Sequence, residues 1–79
     1  MKTFEAIVAE TFRIPESAVH DSMSSKDIAD WDSMNYLLLI SALEKRFGLT
    51  FTMDEVMGAE TLGDIHTAVN ERATIHGAA

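Results

Sequence analysis

Apolar residues recur at intervals of three and four residues in separate segments of this chain, a spacing that is typical of amphipathic helices. The first segment covers residues 3–13, and Pro15 is predicted to stop it because the residue before a proline avoids helical backbone angles. Its predicted core residues are Phe4, Ile7, Val8 and Phe12. Residues 16–31 then form a long loop, which four apolar side chains are predicted to hold against the core: Val19, Met23, Ile28 and Trp31.

The second helix is predicted to run from Ser33 to Phe47. Asp32 is a good N-cap, because its carboxylate can accept hydrogen bonds from the free N–H groups of the first turn. Gly48 is a natural C-terminal stop for the same helix. The predicted apolar stripe of this helix consists of Leu37, Leu39, Ile40, Leu43 and Phe47.

Two further helices complete the chain. Thr52 and Glu55 have the spacing of a capping box, which predicts a short helix that Gly58 ends. Thr61 opens a last helix, with inward residues Leu62, Ile65, Ala68 and Val69, and residues 74–79 are predicted to be a frayed, flexible tail. Nothing resembles a strand, so we expect an all-α fold: a small four-helix bundle of three main helices and one short helix, with a long first loop. All 79 residues are predicted to form a single domain.

Composition narrows the functional class. Thirteen acidic and six basic residues give a net charge of −7, which repels nucleic acid. The chain has no cysteine, and therefore neither a disulfide framework nor a thiolate metal site. Its apolar stretches are too short to span a bilayer, and its first residues lack the apolar region of a signal peptide. We expect a free-standing, cytoplasmic monomer that binds neither nucleic acid nor membrane.

Several residues of types that often form metal or catalytic sites are interpreted here as ordinary surface or packing residues. The spacing of Asp27, Asp30 and Asp32 lacks the pattern of a calcium loop, so a solvated acidic loop is expected there. Three histidines lie far apart in the sequence and justify no metal site or catalytic triad: His20, His66 and His76. Four methionines are interpreted as core or rim residues: Met23, Met34, Met53 and Met57.

Ser33 is the residue that most favours a specific function. It follows the predicted N-cap Asp32, which puts its hydroxyl near the positive end of the helix dipole. A phosphodiester on that oxygen would gain roughly 0.3–1 kcal/mol from the dipole. Ser33 has no base beside it in sequence, whereas a nucleophilic serine needs one within hydrogen-bond reach. A serine at this position can serve as a point of attachment.

Three motifs, in the same order and spacing, resemble those of the acyl carrier protein family. Asp32-Ser33-Met34 resembles its Asp-Ser-Leu signature, residues 43–48 resemble the Leu-Glu-x-x-Phe-Gly end of its second helix, and residues 61–65 resemble the opening of its last helix. The resemblance implies that a phosphopantetheinyl transferase attaches 4′-phosphopantetheine from coenzyme A to Ser33. It also implies that the arm's thiol carries an acyl group as a thioester. On this interpretation Asp32 caps the helix and presents Ser33, and the protein is a carrier rather than an enzyme.

The resemblance further implies that partner enzymes dock on the second helix and the loop before it. The expected partners are acyl or aminoacyl ligases, synthases and acyltransferases, and the candidate docking residues are Trp31, Met34, Asn35 and Leu38. Trp31 is interpreted first as a loop anchor. Asn35 and Leu38 stand where acids are usual in fatty-acid carriers, and Lys45-Arg46 also replaces acids. We therefore expect a specialised carrier with a more neutral docking face.

Three functional classes are compatible with the residues. The first is a carrier for fatty-acid, polyketide or related secondary biosynthesis, with an aminoacyl, peptidyl or D-alanyl carrier as its alternative. The second is an unmodified adaptor for protein interactions, in which Ser33→Ala would be silent. The third is a small hydrolase with Ser33 as nucleophile, which would need His66 to reach Ser33.

Overall fold

Four α-helices and one 3₁₀ turn make up the described part of the chain. The computed structural model describes the backbone of residues 3–78 and the side chains of residues 3–72. The elements in chain order are α1 (Phe4–Phe12), a 3₁₀ turn (Glu16–Ala18), α2 (Ser33–Phe47), α3 (Met53–Gly58) and α4 (Leu62–Ala78). The predicted all-α bundle with one short helix and a long first loop is confirmed. The backbone of α4 includes residues 74–78, whereas their side chains and the whole of Ala79 lie outside the described residues, so flexibility of this tail stays a prediction.

Helix α1 ends at a left-handed residue rather than at the proline. The Thr3 side chain accepts a hydrogen bond from the Ala6 N–H at 3.1 Å and starts the helix. Arg13 ends it with φ 57° and ψ 47°, and its N–H donates to the Ala9 carbonyl. Pro15 instead begins the 3₁₀ turn that follows. The predicted end of α1 at residue 13 agrees with this boundary, and Pro15 lies two residues beyond the cap, where a proline commonly follows a helix.

Arg13→Gly is expected to stabilise the fold. An L-residue in the left-handed region strains against its own Cβ by roughly 1–2 kcal/mol, and glycine avoids this strain while losing more backbone entropy on folding. The expected net gain in the free energy of unfolding is therefore about 0.5–1 kcal/mol, measured by urea denaturation. Arg13→Ala keeps the strain and is the control. Equal stability of the glycine and alanine variants would contradict the assigned backbone strain.

One apolar core fills the space between α1, α2, α4 and the first loop. Helix α1 packs against α2, and α4 contacts both α2 and α3. The buried apolar side chains are Phe4, Ile7, Val8, Phe12, Met23, Ile28, Leu39, Ile40, Leu43, Leu49, Phe51, Leu62, Ile65 and Val69. Every predicted core residue of α1 is among them. The predicted stripe of α2 is wrong at Leu37, which is 59% exposed. Successive helical residues turn by about 100°, which carries Leu37 away from the side on which Leu39 and Leu43 are buried.

The long first loop is held against the core by the four apolar side chains that were predicted to anchor it. Met23 and Ile28 are buried, while Val19 and Trp31 are half-buried against the core, as predicted. The backbone of the loop also bonds to the start of α4, because the Leu62 N–H donates to the Met23 carbonyl at 2.9 Å and the Gly63 N–H to the Asp21 carbonyl at 2.8 Å. A Cβ on residue 63 would lie 3.0 Å from that Asp21 oxygen, so a larger residue would crowd this close approach, which glycine accommodates without a shift. The loop is therefore a fixed part of the fold.

Candidate functional site at the start of the second helix

The predicted cap at Asp32 forms and holds the first turn of α2. The Asp32 side chain accepts a hydrogen bond from the Asn35 N–H at 2.9 Å. The Asn35 side-chain amide donates in turn to the Asp30 carbonyl at 2.9 Å, which ties the helix to the loop before it. Ser33 is thus the first residue of a helix whose start is fixed from both sides.

Ser33 is exposed in this first turn. Among residues 3–72, no group forms a hydrogen bond with its hydroxyl oxygen. The oxygen lies near the positive end of the α2 dipole, where an attached anion is stabilised. With no base bonded to it within the described chain, Ser33 has the surroundings of an attachment point and lacks those of a nucleophile.

Two stacked aromatic side chains, Trp31 and Tyr36, lie beside Ser33, and we call this pair the aromatic wall. The Trp31 and Tyr36 rings stack with centroids 5.8 Å apart, and Trp31 also stacks on the buried Phe12 ring at 5.3 Å. The Tyr36 hydroxyl donates to the Val56 carbonyl at 2.5 Å and so links α2 to α3. Burial, with the charge of Asp64 as a smaller cause, raises the pKa of Tyr36 above its ordinary value of 10.0. Tyr36 therefore keeps its proton and stays a hydrogen-bond donor at neutral pH.

An open cavity of about 340 Å³ adjoins this wall, lined by Trp31, Asp32, Ser33 and Tyr36. Tyr36 is the residue of this site that the sequence interpretation missed. Its position three residues after Ser33 puts both on one side of the helix, and this spacing is the signal that could have identified it. The cavity gives a group attached to Ser33 a place beside the helix.

The candidate docking residues have different surroundings. Met34 is 73% exposed, and Leu38 is exposed as expected. Trp31, in contrast, is half-buried and stacks on Phe12. Asn35 is also half-buried, and its side-chain amide bonds to the Asp30 carbonyl. Leu37 is exposed on the same side of α2. We call Met34, Leu37 and Leu38 the α2 apolar face.

Three of the four methionines that were predicted to be core or rim residues are instead largely exposed. Met23 is buried, but Met34, Met53 and Met57 are all more than two-thirds exposed, at 73%, 71% and 77%. Met53 and Met57 belong to α3, the helix that the Tyr36 hydroxyl links to α2. Exposed, flexible methionines suit surfaces that adapt to a binding partner.

His66 is engaged away from Ser33. Its ring stacks on Phe4 with centroids 4.2 Å apart, and its Nδ1 lies 3.1 Å from an Asp21 carboxylate oxygen. These contacts join α4 to α1 and to the first loop, and they leave the hydrolase interpretation without its base. The described residues contain no group of three or more His, Cys, Asp or Glu side chains that could hold a metal. The side chain of His76 lies outside them.

Two carboxylates position α3 and the start of α4. Thr52 and Glu55 form the predicted capping box, and Arg72 of α4 forms an ion pair with Glu55. Hydrogen bonding to the Thr52 N–H, aided by Arg72, lowers the pKa of Glu55 below its ordinary value of 4.5. Bonds from the Glu60 and Thr61 N–H groups lower the pKa of Asp64 below 3.8. Both groups therefore stabilise the fold in their charged form.

Stability is expected to fall in acid because of these two carboxylates. A carboxylate whose pKa is lowered on folding contributes its full stabilisation above its unfolded pKa, and this is lost as the pH falls through the folded pKa. The melting temperature should therefore decline from about pH 5 down to about pH 3. Glu55→Gln and Asp64→Asn should each flatten that decline, whereas Glu16→Gln, in the exposed 3₁₀ turn, should leave it as in the wild type. Parallel pH profiles for all four proteins would be inconsistent with these assignments.

Known proteins share both the sequence pattern and the fold. A family model described as a phosphopantetheine attachment site matches residues 2–69. An acyl carrier protein of Acidothermus cellulolyticus is 36% identical over 58 residues, which cover 73% of this chain and 69% of that protein. A solved structure from Mycobacterium tuberculosis, of a protein proposed to be an acyl carrier protein, superposes with a TM-score of 0.75. It is 22% identical and the match covers 85% of this chain and 89% of that one, so it bears on the fold alone.

Within the described residues, none of the helices has both the length and the apolar character that crossing a membrane requires.

Proposed function

Since the chain belongs to the acyl carrier protein family, whose members bear phosphopantetheine and are carriers rather than catalysts, we propose that Ser33 is its attachment residue. The protein then carries acyl intermediates for fatty-acid, polyketide or related secondary biosynthesis in the cytoplasm. When bound, the prosthetic group supplies a thiol that holds the acyl group as a thioester. The chain itself supplies the attachment oxygen and the surface on which partner enzymes act.

The single observation that carries this proposal is the state of the Ser33 hydroxyl. It is exposed, it lies in the first turn of α2, and no described group bonds to it. The adjoining cavity of about 340 Å³ leaves room for a bulky substituent, so the residues present fit the group. An internal hydrogen bond or burial of this oxygen would have hindered attachment.

Asp32 and Asn35 support attachment by fixing the start of the helix. Asp32 accepts from the Asn35 N–H, and the Asn35 amide bonds back to the loop at Asp30. These two bonds keep Ser33 at the helix terminus. The dipole there stabilises a phosphodiester by roughly 0.3–1 kcal/mol.

The expected partners are a phosphopantetheinyl transferase, an acyl or aminoacyl ligase, and synthase or acyltransferase enzymes. The α2 apolar face follows Ser33 directly, and the first turn of α2 contains no acidic residue while its last turn contains Lys45 and Arg46. An exposed apolar patch of this kind favours a partner with an apolar recess over one with a basic patch. This supports a specialised carrier with dedicated enzymes.

The test is the intact mass of the purified chain after incubation with coenzyme A, Mg²⁺ and a broad-specificity phosphopantetheinyl transferase. We expect a gain of one phosphopantetheine per chain. A reaction without coenzyme A is the negative control, and a fatty-acid carrier treated in parallel shows that the transferase is active. An unchanged mass beside a loaded control carrier would contradict the proposal.

A further inference from the structure

We propose that α3 is a strap that opens while the rest of the bundle stays folded, and that a balance of charges sets how often it opens. Arg72 holds α3 to α4 through Glu55, whereas carboxylates of both helices repel one another across the cavity that they line. Neither contact involves Ser33, so the opening of α3 and the attachment at Ser33 can be tested separately.

Helix α3 has little stability of its own. It contains six residues, Met53–Gly58, whereas isolated helices shorter than about 12–15 residues are marginal in water. None of its residues is buried, and Val56 alone among its side chains packs against the core, half-buried. Segments with so few buried contacts open locally, at less than the free energy of global unfolding. The position of α3 therefore depends on side chains of the other helices.

Two side chains from neighbouring helices hold α3 in place. The Tyr36 hydroxyl of α2 donates to the Val56 carbonyl, which lies in the last turn of α3, where helix carbonyls lack partners within the helix. Arg72 of α4 donates to both carboxylate oxygens of Glu55. Glu55 also accepts from the Thr52 N–H at 2.8 Å. One carboxylate therefore serves both the cap of α3 and its contact with α4.

Carboxylates around one cavity oppose the docking of α3 on α4. The cavity has a volume of about 330 Å³, and it is lined by Asp54 and Glu55 of α3 and by Asp64 and Glu71 of α4. Its described lining contains no basic side chain. Arg72 forms its ion pair with Glu55, and the like charges of the other carboxylates repel one another when the two helices approach. The closed position of α3 is therefore a balance between one ion pair and this repulsion.

Amide hydrogen exchange, followed residue by residue with NMR spectroscopy, measures the opening of α3 in the wild-type protein. We expect protection factors for Val56, Met57 and Gly58 that are at least about tenfold below those of Ile7 and Val8 in α1. The α1 amides belong to buried residues and exchange only when the bundle unfolds, whereas the α3 amides exchange whenever the strap opens.

Three variants should open the strap. Arg72→Gln and Glu55→Gln should each lower the α3 protection factors about tenfold, because each removes a charge-assisted contact. Glutamine at position 55 can still accept from Thr52, since a capping box takes either Glu or Gln there, so this variant separates the ion pair from the cap. Tyr36→Phe keeps the ring and should lower the same factors about fivefold by removing the bond to Val56. Protection in α1 should stay within about twofold in all three.

Glu71→Gln should act in the opposite direction. It removes one carboxylate from the α4 side of the cavity and leaves α3 itself unaltered, so the α3 protection factors should rise about twofold. Glu16→Gln makes the same change of charge in the 3₁₀ turn, outside the cavity lining, and is the matched control. It should leave α3 protection unchanged.

The outcomes separate the strap from the charge balance. Equal protection of α3 and α1 in the wild-type protein would overturn the strap, because the bundle would then open as one unit. Equal losses in α1 and α3 for Arg72→Gln would overturn it as well. Unchanged or lower α3 protection in Glu71→Gln would overturn the charge balance. None of these measurements uses the prosthetic group, so each result leaves the test of attachment at Ser33 independent.

Discussion

Ser33→Ala is expected to gain no mass under conditions that load the wild-type chain completely. Alanine lacks the oxygen that the transferase modifies, so the loss should be total rather than partial. Folding should be unaffected, because the Ser33 side chain is exposed and forms no hydrogen bond within the described residues. The free energy of unfolding should stay within about 0.5 kcal/mol of the wild type.

Ser41→Ala is the matched control, because Ser41 is an exposed serine in the same helix. It should load like the wild type. Mass gain in the Ser33→Ala protein, with Ser41→Ala also loaded, would mean that another residue is the attachment point. Loss of loading in both variants would mean that the substitutions disturb the surface of α2 that the transferase contacts, rather than that one of them removes the attachment oxygen.

Phe12→Ala is expected to lower the free energy of unfolding by about 3–5 kcal/mol, which is the usual cost of truncating a buried phenylalanine. Phe12 is only 1% exposed and stacks under Trp31 at 5.3 Å. Its removal leaves a cavity beneath the aromatic wall of the site. Urea denaturation followed by Trp31 fluorescence measures the loss directly.

Met57→Ala is the comparison for this effect, because Met57 is 77% exposed and should change stability by less than about 0.5 kcal/mol. A loss below about 1 kcal/mol in Phe12→Ala would conflict with its place in the core. In such a small domain a loss of 3–5 kcal/mol is a large share of the total stability, which is of order 5–15 kcal/mol in natural proteins.

Helix boundaries were predictable where capping depends on neighbouring residues. The predicted bounds of α2 agree with the structure because Asp32 and Gly48 act on the backbone within one turn. The start of α3 was predictable from Thr52 and Glu55 for the same reason. The end of α1 near residue 13 was predictable from Pro15, whereas the left-handed conformation of Arg13 was not, because its residue type does not favour it.

The apolar stripe of α2 was only partly predictable. Residues 37–40 are four consecutive apolar residues, which hide the helical period, so Leu37 was assigned to the core although it is exposed. The methionines posed a similar difficulty, because Met57 and Met23 look alike in sequence and differ only in what the fold packs around them.

The residues of the candidate site also fall into those that the local sequence predicts and those that only tertiary contacts bring together. Ser33 and its cap are local features that three motifs identify. The aromatic wall depends on tertiary contacts: Tyr36 bonds to Val56, 20 residues away, and the sequence contains no sign of that pair. His66 and Asp21 are 45 residues apart, and their contact likewise follows from the docking of the first loop on α4.

The most direct test of the central claim locates the added group within the loaded wild-type chain. Trypsin cuts after Lys26 and Lys45, and the resulting peptide, residues 27–45, contains just two serines, Ser33 and Ser41. Fragmentation by tandem mass spectrometry should show phosphopantetheine on every fragment that includes Ser33, including those that lack Ser41. The group on Ser41, or on a peptide outside residues 27–45, would contradict the assignment of Ser33 as the attachment residue.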